Sequence, residues 1–423
     1  MTSFIIKIAT VFTGRMAARG AQFFTFLALA HELSPSQFGA YGLLITSVLL
    51  ASLLGSIGLR QASAQWIGVN KITHAHALGT LLALLPVLGV ISAFAVWCVV
   101  GSQISAHGVT PGGLIVFVAV AGSMATMMFQ GILLGLGRTT AFSLSDSLYP
   151  FSLLGLVLLL RVLTPHIELL PVVASVAIAQ TIAGLLTFVL AWRGSDKIAL
   201  QSSRQVIHLV KHGLAYSVNL FLITLSARIS LYFIQTMISQ DAVGQFFAGQ
   251  RIGDLLIEAA TAVGLVLFSD GVRSKDPQAT LRRNARIAGT VLWIFSLAGL
   301  LFSIFAPQIT ALLLSDEYGA AGHVLTITAW MIAPASATKM IYPAIAAMGK
   351  PILGSPAILA AIVTNILFCW ALIPSYGLSG AAFALVSSQY VLLIGYAIIL
   401  RRSFNIAFKD SLLPSLPVKR KSK

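Results

Sequence analysis

The stretch LSPSQFGAYG, residues 33–42, decides the fold because a second version of it, ISQDAVGQFF, occurs at residues 238–247. The positions that match at an offset of 205 residues are Leu33 with Ile238, Ser34 with Ser239, Phe38 with Val243, Gly39 with Gly244, and Tyr41 with Phe246. Further matches in the same order are IGL (57–59) with VGL (263–265) and LLGLGR (133–138) with AIAAMGK (344–350). Matches that keep one order predict a duplicated unit of about 200 residues.

The composition is that of a membrane protein. Of 423 residues, 57% are hydrophobic and 9% are charged, and the mean hydropathy is +0.92. A soluble domain carries about 25% charged residues, so this chain cannot cover a water-facing surface. The net charge is +15, and the basic residues fall between apolar runs. This placement indicates that they set the orientation of the chain in the membrane and contact anionic lipid head groups, rather than bind nucleic acid.

Twelve apolar runs are each long enough to cross a bilayer, which takes about 20 residues. They are 5–31, 38–66, 78–100, 112–136, 142–163, 169–193, 212–238, 243–268, 285–305, 322–348, 353–374 and 378–400. Connections rich in Lys and Arg alternate with connections that hold acids, with Arg161 as the exception. Because Lys and Arg collect on the cytoplasmic side, both termini are predicted to be cytoplasmic.

Each half of the repeat contains six runs, and an even number starts the second half on the same side as the first. The halves are therefore predicted to be parallel repeats. The predicted parts are an N-terminal lobe at 1–193, a cytoplasmic linker at 194–211, a C-terminal lobe at 212–401 and a basic cytoplasmic tail at 402–423. The fold class is an all-α integral membrane protein with two six-helix lobes around a central cavity.

The segment AQFFTFLALA (21–30) ends in the small-x-small pattern of a signal-peptide cleavage site. The segment before Gly244 is its counterpart in the repeat, and that segment lies in a spanning run. We therefore predict that 21–30 is part of a spanning helix and is not cleaved.

Few charges fall near the middle of the predicted spans. They are Arg15 and Arg19 in the first, Arg228 in the seventh, Arg251, Asp254 and Glu258 in the eighth, and Lys339 in the tenth. Each is costly at the centre of a bilayer and should face a cavity or a partner. At 1.5 Å per residue, Arg228 and Arg251 lie about 15 Å and about 12 Å below the outer surface, so they are expected at similar depth.

Five bases and two acids predict a positive cavity near the middle of the membrane. The guanidinium group suits phosphate, because its planar fork offers several donors and stays charged at any depth. The sequence therefore predicts an anionic substrate, with a phosphate or pyrophosphate as the natural candidate. The alternative is that the charges only pair with each other, as Arg251 with Asp254 and Arg228 with Glu258.

No catalytic centre stands out. The sequence lacks a G-x-x-x-x-G-K-[ST] stretch for nucleotide phosphates, and the predicted outside loops are too short for a catalytic domain. Cys98 and Cys369 lie inside apolar runs and indicate neither a disulfide framework nor a metal site. We expect a protein that is not an enzyme and needs no cofactor, with H⁺ or Na⁺ as candidate coupling ions.

The chain resembles the multidrug/oligosaccharidyl-lipid/polysaccharide (MOP) exporter superfamily, in its polysaccharide branch of Wzx-type flippases. The segments that carry the resemblance are GRMAARGAQFFTFLALAHELSPSQFGAYGLL, ISQDAVGQFFAGQRIGDLL, SDEYGAAGHVL and AAMGKP. The resemblance covers essentially the whole chain. The lipid II flippase branch typically has two further C-terminal helices, whereas twelve spans are predicted here. Membership of that branch is therefore ranked lower than membership of the Wzx-type branch.

The resemblance implies alternating access and a substrate of undecaprenyl-pyrophosphate-linked oligosaccharide, in a bacterial inner membrane, for O-antigen or exopolysaccharide assembly. It implies that Arg15, Arg19, Arg228, Arg251 and Lys339 bind the pyrophosphate, while Asp254 and Glu258 couple an ion or balance charge. Membrane lipids, a polysaccharide polymerase and a chain-length regulator are the implied partners. The alternatives are a cation-coupled multidrug exporter on the same fold and a non-transporting component of an assembly complex.

Overall fold

The computed structural model describes residues 2–106, 112–195, 197–272, 276–348 and 350–414. These residues form helices and connections and contain no strand. The helices are α1 Thr2–Glu32, α2 Pro35–Gly55, α3 Leu59–Gly68, α4 His74–Ala106, α5 Gly112–Gly135, α6 Thr139–Leu163, α7 Leu169–Trp192, α8 Ser203–Met237, α9 Gln240–Val272, α10 Pro277–Leu313, α11 Gly319–Thr328, α12 Ile332–Ala347, α13 Ser355–Phe404 and α14 Phe408–Leu412. Short 3₁₀ helices occupy Asp316–Tyr318, Ala329–Met331 and Pro351–Gly354.

Within the described ranges, nine helical segments are long and apolar enough to cross a membrane. One of them contains α13, which breaks at Gly377 (φ 54°, ψ −130°) and so supplies two spans. The predicted runs 5–31 and 243–268 correspond to α1 and α9. Every predicted run thus coincides with a helix or with successive helices, and the all-α membrane fold class is confirmed.

Three predicted runs differ from the helices in detail. The run 38–66 is two helices, α2 and α3, and the run 322–348 is α11 and α12 joined by a 3₁₀ turn. The run 212–238 begins earlier, because α8 starts at Ser203. Part of the predicted linker 194–211 is therefore helical, and its described residues 194–195 and 197–202 form the irregular remainder.

The chain forms two compact units. Unit 1 consists of Met1–Thr224 with Ser239–Gly244, and unit 2 consists of Leu225–Ile238 with Gln245–Lys423. Helices α8 and α9 each contribute residues to both units. This partition follows contacts rather than the sequence repeat, so the lobe boundaries 1–193 and 212–401 stay a prediction.

The two copies of the repeat begin their helices in the same way. Ser34 caps α2, and its side chain accepts from Gln37 N–H in a capping box. Ser239 stands in the same place before α9, and its hydroxyl oxygen accepts from Ala242 N–H at 3.1 Å. Serine at this position satisfies a backbone donor that the first turn leaves free. The match between the two segments therefore reflects a shared helix start.

The copies also place a base in the same way after their fourth span. Arg138 follows α5 and donates from Nη1 to Arg193 O, at the end of α7. Lys350 follows α12, and its ammonium group lies 5.7 Å from the ring centroid of Phe404, at the end of α13. The repeat pairs Arg138 with Lys350, and in each copy the base reaches the end of the sixth span.

Unit 1 contains a break between α2 and α3 that the second copy lacks. Ile57 and Gly58 have positive φ values of 47° and 62°, and a β-branched residue rarely adopts this region. On α8, the Ser217 hydroxyl donates to Leu53 O at 2.7 Å, and a Cβ added at Gly213 would collide with Ile57 O. The close approach of α8 thus supports the break, because irregular backbone in a membrane protein needs partners inside the protein.

Candidate functional site: a charged face on helices α8 and α9

An ion pair inside unit 2 joins two of the predicted site residues. Arg228 on α8 donates from Nη2 to Asp254 Oδ2 on α9 at 2.6 Å. Their side chains are 15% and 17% exposed, so the pair is largely removed from solvent. One turn earlier on α9, Gln250 Nε2 donates to Ala227 O at 3.0 Å. The two contacts fix the register of the helices and place Arg228 beside residues 250–254.

The ion pair leaves part of the Arg228 guanidinium unused. Its Nη1 atom is buried and has no hydrogen-bond partner among the residues that the structure describes. A buried donor left without an acceptor destabilises the fold by about 1–3 kcal/mol, and by more when it is charged. Such a group calls for a functional explanation or an acceptor that binds later.

Helix α9 carries its charges on one face. Arg251, Asp254 and Glu258 are spaced i, i+3, i+7, which puts them on neighbouring turns of that face. All three are half-buried. The Arg251 guanidinium carbon lies 5.3 Å from the ring centroid of Phe247, a cation–π contact that holds the charge against a fully buried aromatic ring. The face therefore combines two bases and two acids.

Helix α9 also contacts α12, at Gly264. A Cβ added at Gly264 would collide with the Lys339 carbonyl oxygen, so the backbones of the two helices touch there. Lys339 is half-buried and lies between Pro334 and Pro343 in sequence. Gly264 follows Glu258 by about 9 Å along the helix axis. The structure thus places Lys339 in the same unit as Arg228 and Arg251.

The first-helix arginines lie in unit 1. The Nη1 of Arg19 donates to Gln22 Oε1, one turn further along α1, at 2.6 Å. A Cβ added at Gly14 would lie 2.6 Å from Ser143 Oγ of α6, so this side of α1 packs closely on α6. Arg15 lies on α1, but its side chain falls outside the described atoms. The prediction that Arg15 and Arg19 share one cavity with Arg228 and Arg251 stays a prediction.

The ion pair gives Arg228 an acid partner on α9. The sequence offered Glu258 as one possible partner, and the ion pair that the structure describes joins Arg228 to Asp254. The bond from Gln250 to Ala227 O fixes the register of α9 against α8 and so places Asp254 beside Arg228. A separate ion pair joins Arg161 to Glu32 at 2.9 Å, a base and an acid that the sequence predicts on the same side of the membrane.

Unit 2 contains a buried polar cluster that the sequence analysis did not predict. Asn365 on α13 is fully buried; its Oδ1 accepts from Ser230 Oγ at 3.0 Å, and its Nδ2 donates to Ser226 O at 3.2 Å. Cys369 Sγ lies 3.2 Å from the same Oδ1, and Ser388 Oγ lies 3.5 Å from Nδ2. The signal was Asn365 and Cys369 at i, i+4 in an apolar run. The cluster ties α8 to both arms of α13.

Over the described ranges, no group of three or more His, Cys, Asp or Glu side chains is arranged to hold a metal ion. The candidate residues of the site are arginine, lysine and carboxylate groups on membrane helices.

The fold and these charges define a multi-pass α-helical membrane protein. Comparison with known proteins identifies its family. The sequence matches the family described as "Polysaccharide biosynthesis protein" over residues 5–268. The chain therefore belongs to this family, which confirms the resemblance drawn from the sequence. No curated protein matches the chain.

Several solved structures share the fold. "Lipid II flippase MurJ, inward closed conformation" has a TM-score of 0.76 and 12% identity, over 95% of this chain and 88% of that chain. The inward-facing conformation of a multidrug resistance MATE family transporter of the MOP superfamily has a TM-score of 0.69 and 17% identity, over 92% and 94%. A MOP superfamily transporter from Pyrococcus furiosus, described by a reverse polarity of its binding pocket, has a TM-score of 0.64 and 15% identity, over 95% and 94%. The fold is that of the MOP superfamily.

Proposed function

We propose that this protein is a flippase that moves undecaprenyl-pyrophosphate-linked oligosaccharides across a bacterial inner membrane by alternating access. Membership of the polysaccharide biosynthesis family supports a glycan-related substrate. The fold, which it has in common with a lipid II flippase and with multidrug transporters, supports transport rather than catalysis. O-antigen or exopolysaccharide assembly is the proposed pathway, in which a polymerase and a chain-length regulator act after translocation.

The observation that carries the proposal is the buried Nη1 of Arg228, which lacks an acceptor among the described atoms. Asp254 holds the other end of the guanidinium and keeps it in place. A pyrophosphate oxygen would satisfy Nη1 with a charge-assisted hydrogen bond, which is stronger than a bond between neutral groups. Because Nη1 is sheltered in this conformation, the substrate would reach it in another conformation of the transport cycle.

The remaining bases complete the proposed pyrophosphate site. They are Arg15 and Arg19 on α1, Arg251 on α9 and Lys339 on α12. Five bases exceed the two acids Asp254 and Glu258 by three charges, which favours an anion. Asp254 and Glu258 are proposed to balance charge or to couple transport to H⁺ or Na⁺.

A cation-coupled drug exporter on the same fold is the competing function, and the ion pair argues against it. A site for cationic drugs needs an unpaired acid, whereas Asp254 already accepts from Arg228 at 2.6 Å. The two functions predict opposite mutant behaviour. The flippase depends on the arginines, whereas the exporter depends on Asp254 or Glu258 and confers drug resistance when expressed.

The decisive experiment is a flipping assay in proteoliposomes with a fluorescent undecaprenyl-pyrophosphate-linked oligosaccharide. The wild-type protein is expected to move the lipid, and Arg228→Gln is expected to reduce the rate at least about tenfold, the loss of one charge-assisted contact. If correctly folded Arg228→Gln flips the lipid at the wild-type rate, the proposal that Arg228 binds phosphate is wrong. Drug resistance without flipping would favour the exporter.

A further inference from the structure

Unit 1 contains a cavity that shares no residue with the charged face of α9. The end of α3, the turn after it and the start of α8 enclose an open cavity of about 580 Å³. Its lining consists of Gln65, Trp66, Val69, Lys71, Gln205, His208 and His212. Pockets of about 300–1,000 Å³ are typical for small ligands, so this volume has room for a phosphorylated head group.

The turn after α3 holds Lys71 beside Trp66. Asn70 adopts a left-handed conformation with φ 57°. Lys71 N–H donates to Trp66 O at 2.8 Å, and Asn70 N–H donates to Ile67 O at 3.0 Å. These two bonds form a Schellman motif, the standard left-handed end of a helix. The backbone of this turn therefore places Lys71 next to Trp66 at the end of the helix, and both residues line the cavity.

Helix α8 supplies the opposite wall. Gln205, His208 and His212 recur at i, i+3, i+7 and so share one face. His212 Nε2 is hydrogen-bonded to Gln65 Oε1, and the His212 ring lies 6.4 Å from the Trp66 ring, centroid to centroid. The bond and the ring contact join α3 to α8 across the cavity. The described lining residues include no carboxylate, so a basic, amide-rich wall faces an aromatic one.

We propose that this cavity binds the phosphate group of a membrane lipid. Lys71 and His208 supply donors for phosphate oxygens, His212 is held in the wall by its bond to Gln65, and the amides of Gln65 and Gln205 suit an attached polar group. Trp66 and Val69 supply apolar surface for the adjoining chain, and Trp is favoured where one end of a ligand is apolar and the other is wet. The cavity lies on the side that the basic connections predict to be cytoplasmic, where a lipid-linked glycan is made and where anionic phospholipids collect.

The phosphate has two sources, an isoprenoid pyrophosphate lipid or an anionic phospholipid. The first source rests on the proposed function, and the second does not. A site-resolved readout is needed, because an isoprenoid pyrophosphate is also proposed to bind at Arg228. We therefore choose photo-crosslinking of the full-length purified protein, in detergent, with diazirine-tagged farnesyl pyrophosphate and diazirine-tagged phosphatidylglycerol, followed by peptide mapping.

Adducts are expected in peptides that contain residues 65–71 and 205–212. The double variant Lys71→Gln/His208→Gln should lower their yield about tenfold, the effect of losing charge-assisted contacts. The control Lys197→Gln/His166→Gln makes the same exchanges at exposed residues outside the lining and should leave the yield unchanged. Trp66→Leu tests the apolar wall and should lower adducts with both lipids.

Loss of the farnesyl pyrophosphate adducts alone supports a site for pyrophosphate lipids, and loss of both adducts supports a general site for anionic lipids. Equal yields in wild-type protein and in the Lys71→Gln/His208→Gln variant would overturn the proposal. Competition by inorganic pyrophosphate as strong as that by the lipids, with no effect of Trp66→Leu, would overturn its lipid part. The flipping assay on Arg228 variants is a separate measurement, so a failure of this cavity and a failure of the flippase function are distinguishable.

Discussion

Gly39 and Gly244, the two matching glycines of the sequence repeat, lie backbone to backbone. A Cβ added at Gly39 would lie 2.8 Å from Gly244 N, and one added at Gly244 would lie 3.1 Å from Gly39 N. Each glycine is the fifth residue of its helix, α2 or α9. Two equivalent positions of a duplicated unit that meet in this way indicate a local two-fold relation, which explains why both copies keep a residue without a side chain.

The first prediction is that Gly39→Ala and Gly244→Ala each destabilise the protein. Alanine normally strengthens a helix relative to glycine by about 1 kcal/mol, but here the new methyl groups would collide with Gln240 O and Pro35 O. Overpacking of this kind costs about 1–3 kcal/mol. Thermal unfolding of the purified variants in detergent measures the sign of the change.

Gly155→Ala is the matched control for this test. Gly155 also lies inside a helix, α6, but no described heavy atom comes within 4 Å of a Cβ added there. This variant should unfold at the wild-type temperature or slightly above it. A Gly39→Ala protein as stable as Gly155→Ala would show that the close approach does not constrain these positions.

The sequence predicted the spans well because each depends on local composition. The break at Gly377 matched the predicted boundary between 374 and 378, since a glycine there interrupts an apolar run. The kink at Ile57 was missed, because it depends on Ser217 and Gly213 of α8, far away in sequence. Local patterns carry no information about such contacts.

The site was predicted in part for the same reason. Charges in apolar runs are visible in the sequence, so Arg228, Arg251 and Asp254 were found. The partner of Arg228 was not, because the choice between Asp254 and Glu258 depends on the register of two packed helices. Asn365 was missed because single amides are common in membrane spans. Its role can be recognised only from the folded structure, in which Ser230 and Ser388 lie beside it.

The second prediction concerns the first helix. Arg15→Gln and Arg19→Gln are each expected to reduce flipping about tenfold or more, because each removes a charge proposed to bind pyrophosphate. Arg19→Lys keeps the charge but loses the planar fork, so it should restore only part of the rate. Flipping in proteoliposomes with matched protein content is the measurement.

Arg204→Gln is the control for charge in unit 1. Arg204 is exposed at the start of α8, and its loss should leave the flipping rate unchanged. Full activity of the Arg15→Gln/Arg19→Gln double variant at normal expression would remove α1 from the proposed site.

The third prediction is that Asn365→Leu destabilises unit 2 by about 2 kcal/mol, since it leaves buried partners without an amide. Its partners Ser230 and Ser226 O lie on α8, so the change should also loosen the contact of α8 with α13. Thr364→Val is the control, because the Thr364 hydroxyl bonds to Ala360 O of its own helix. Thermal unfolding should separate the two variants, and equal midpoints would mean that the cluster contributes nothing measurable.

The fourth prediction separates a structural role of Arg228 from a substrate-binding one. Arg228→Gln alone leaves the half-buried Asp254 without its partner. Loss of one member of a fully buried ion pair typically costs about 3–5 kcal/mol, so a smaller but clear loss of stability is expected here. The double variant Arg228→Gln/Asp254→Asn replaces the ion pair by two neutral amides that can still bond to each other. It should recover most of the thermal stability while flipping stays at least about tenfold below wild type.

Arg286 and Asp410 provide the matched control, since they form a second ion pair of unit 2 at 3.0 Å. The double variant Arg286→Gln/Asp410→Asn should keep both stability and flipping, because Arg286 is 40% exposed and outside the charged face of α9. If Arg228→Gln/Asp254→Asn recovers flipping together with stability, Arg228 serves only to hold α8 against α9. If stability returns and flipping does not, Arg228 is needed to bind the substrate. This is the result expected if its buried Nη1 donates to a pyrophosphate oxygen.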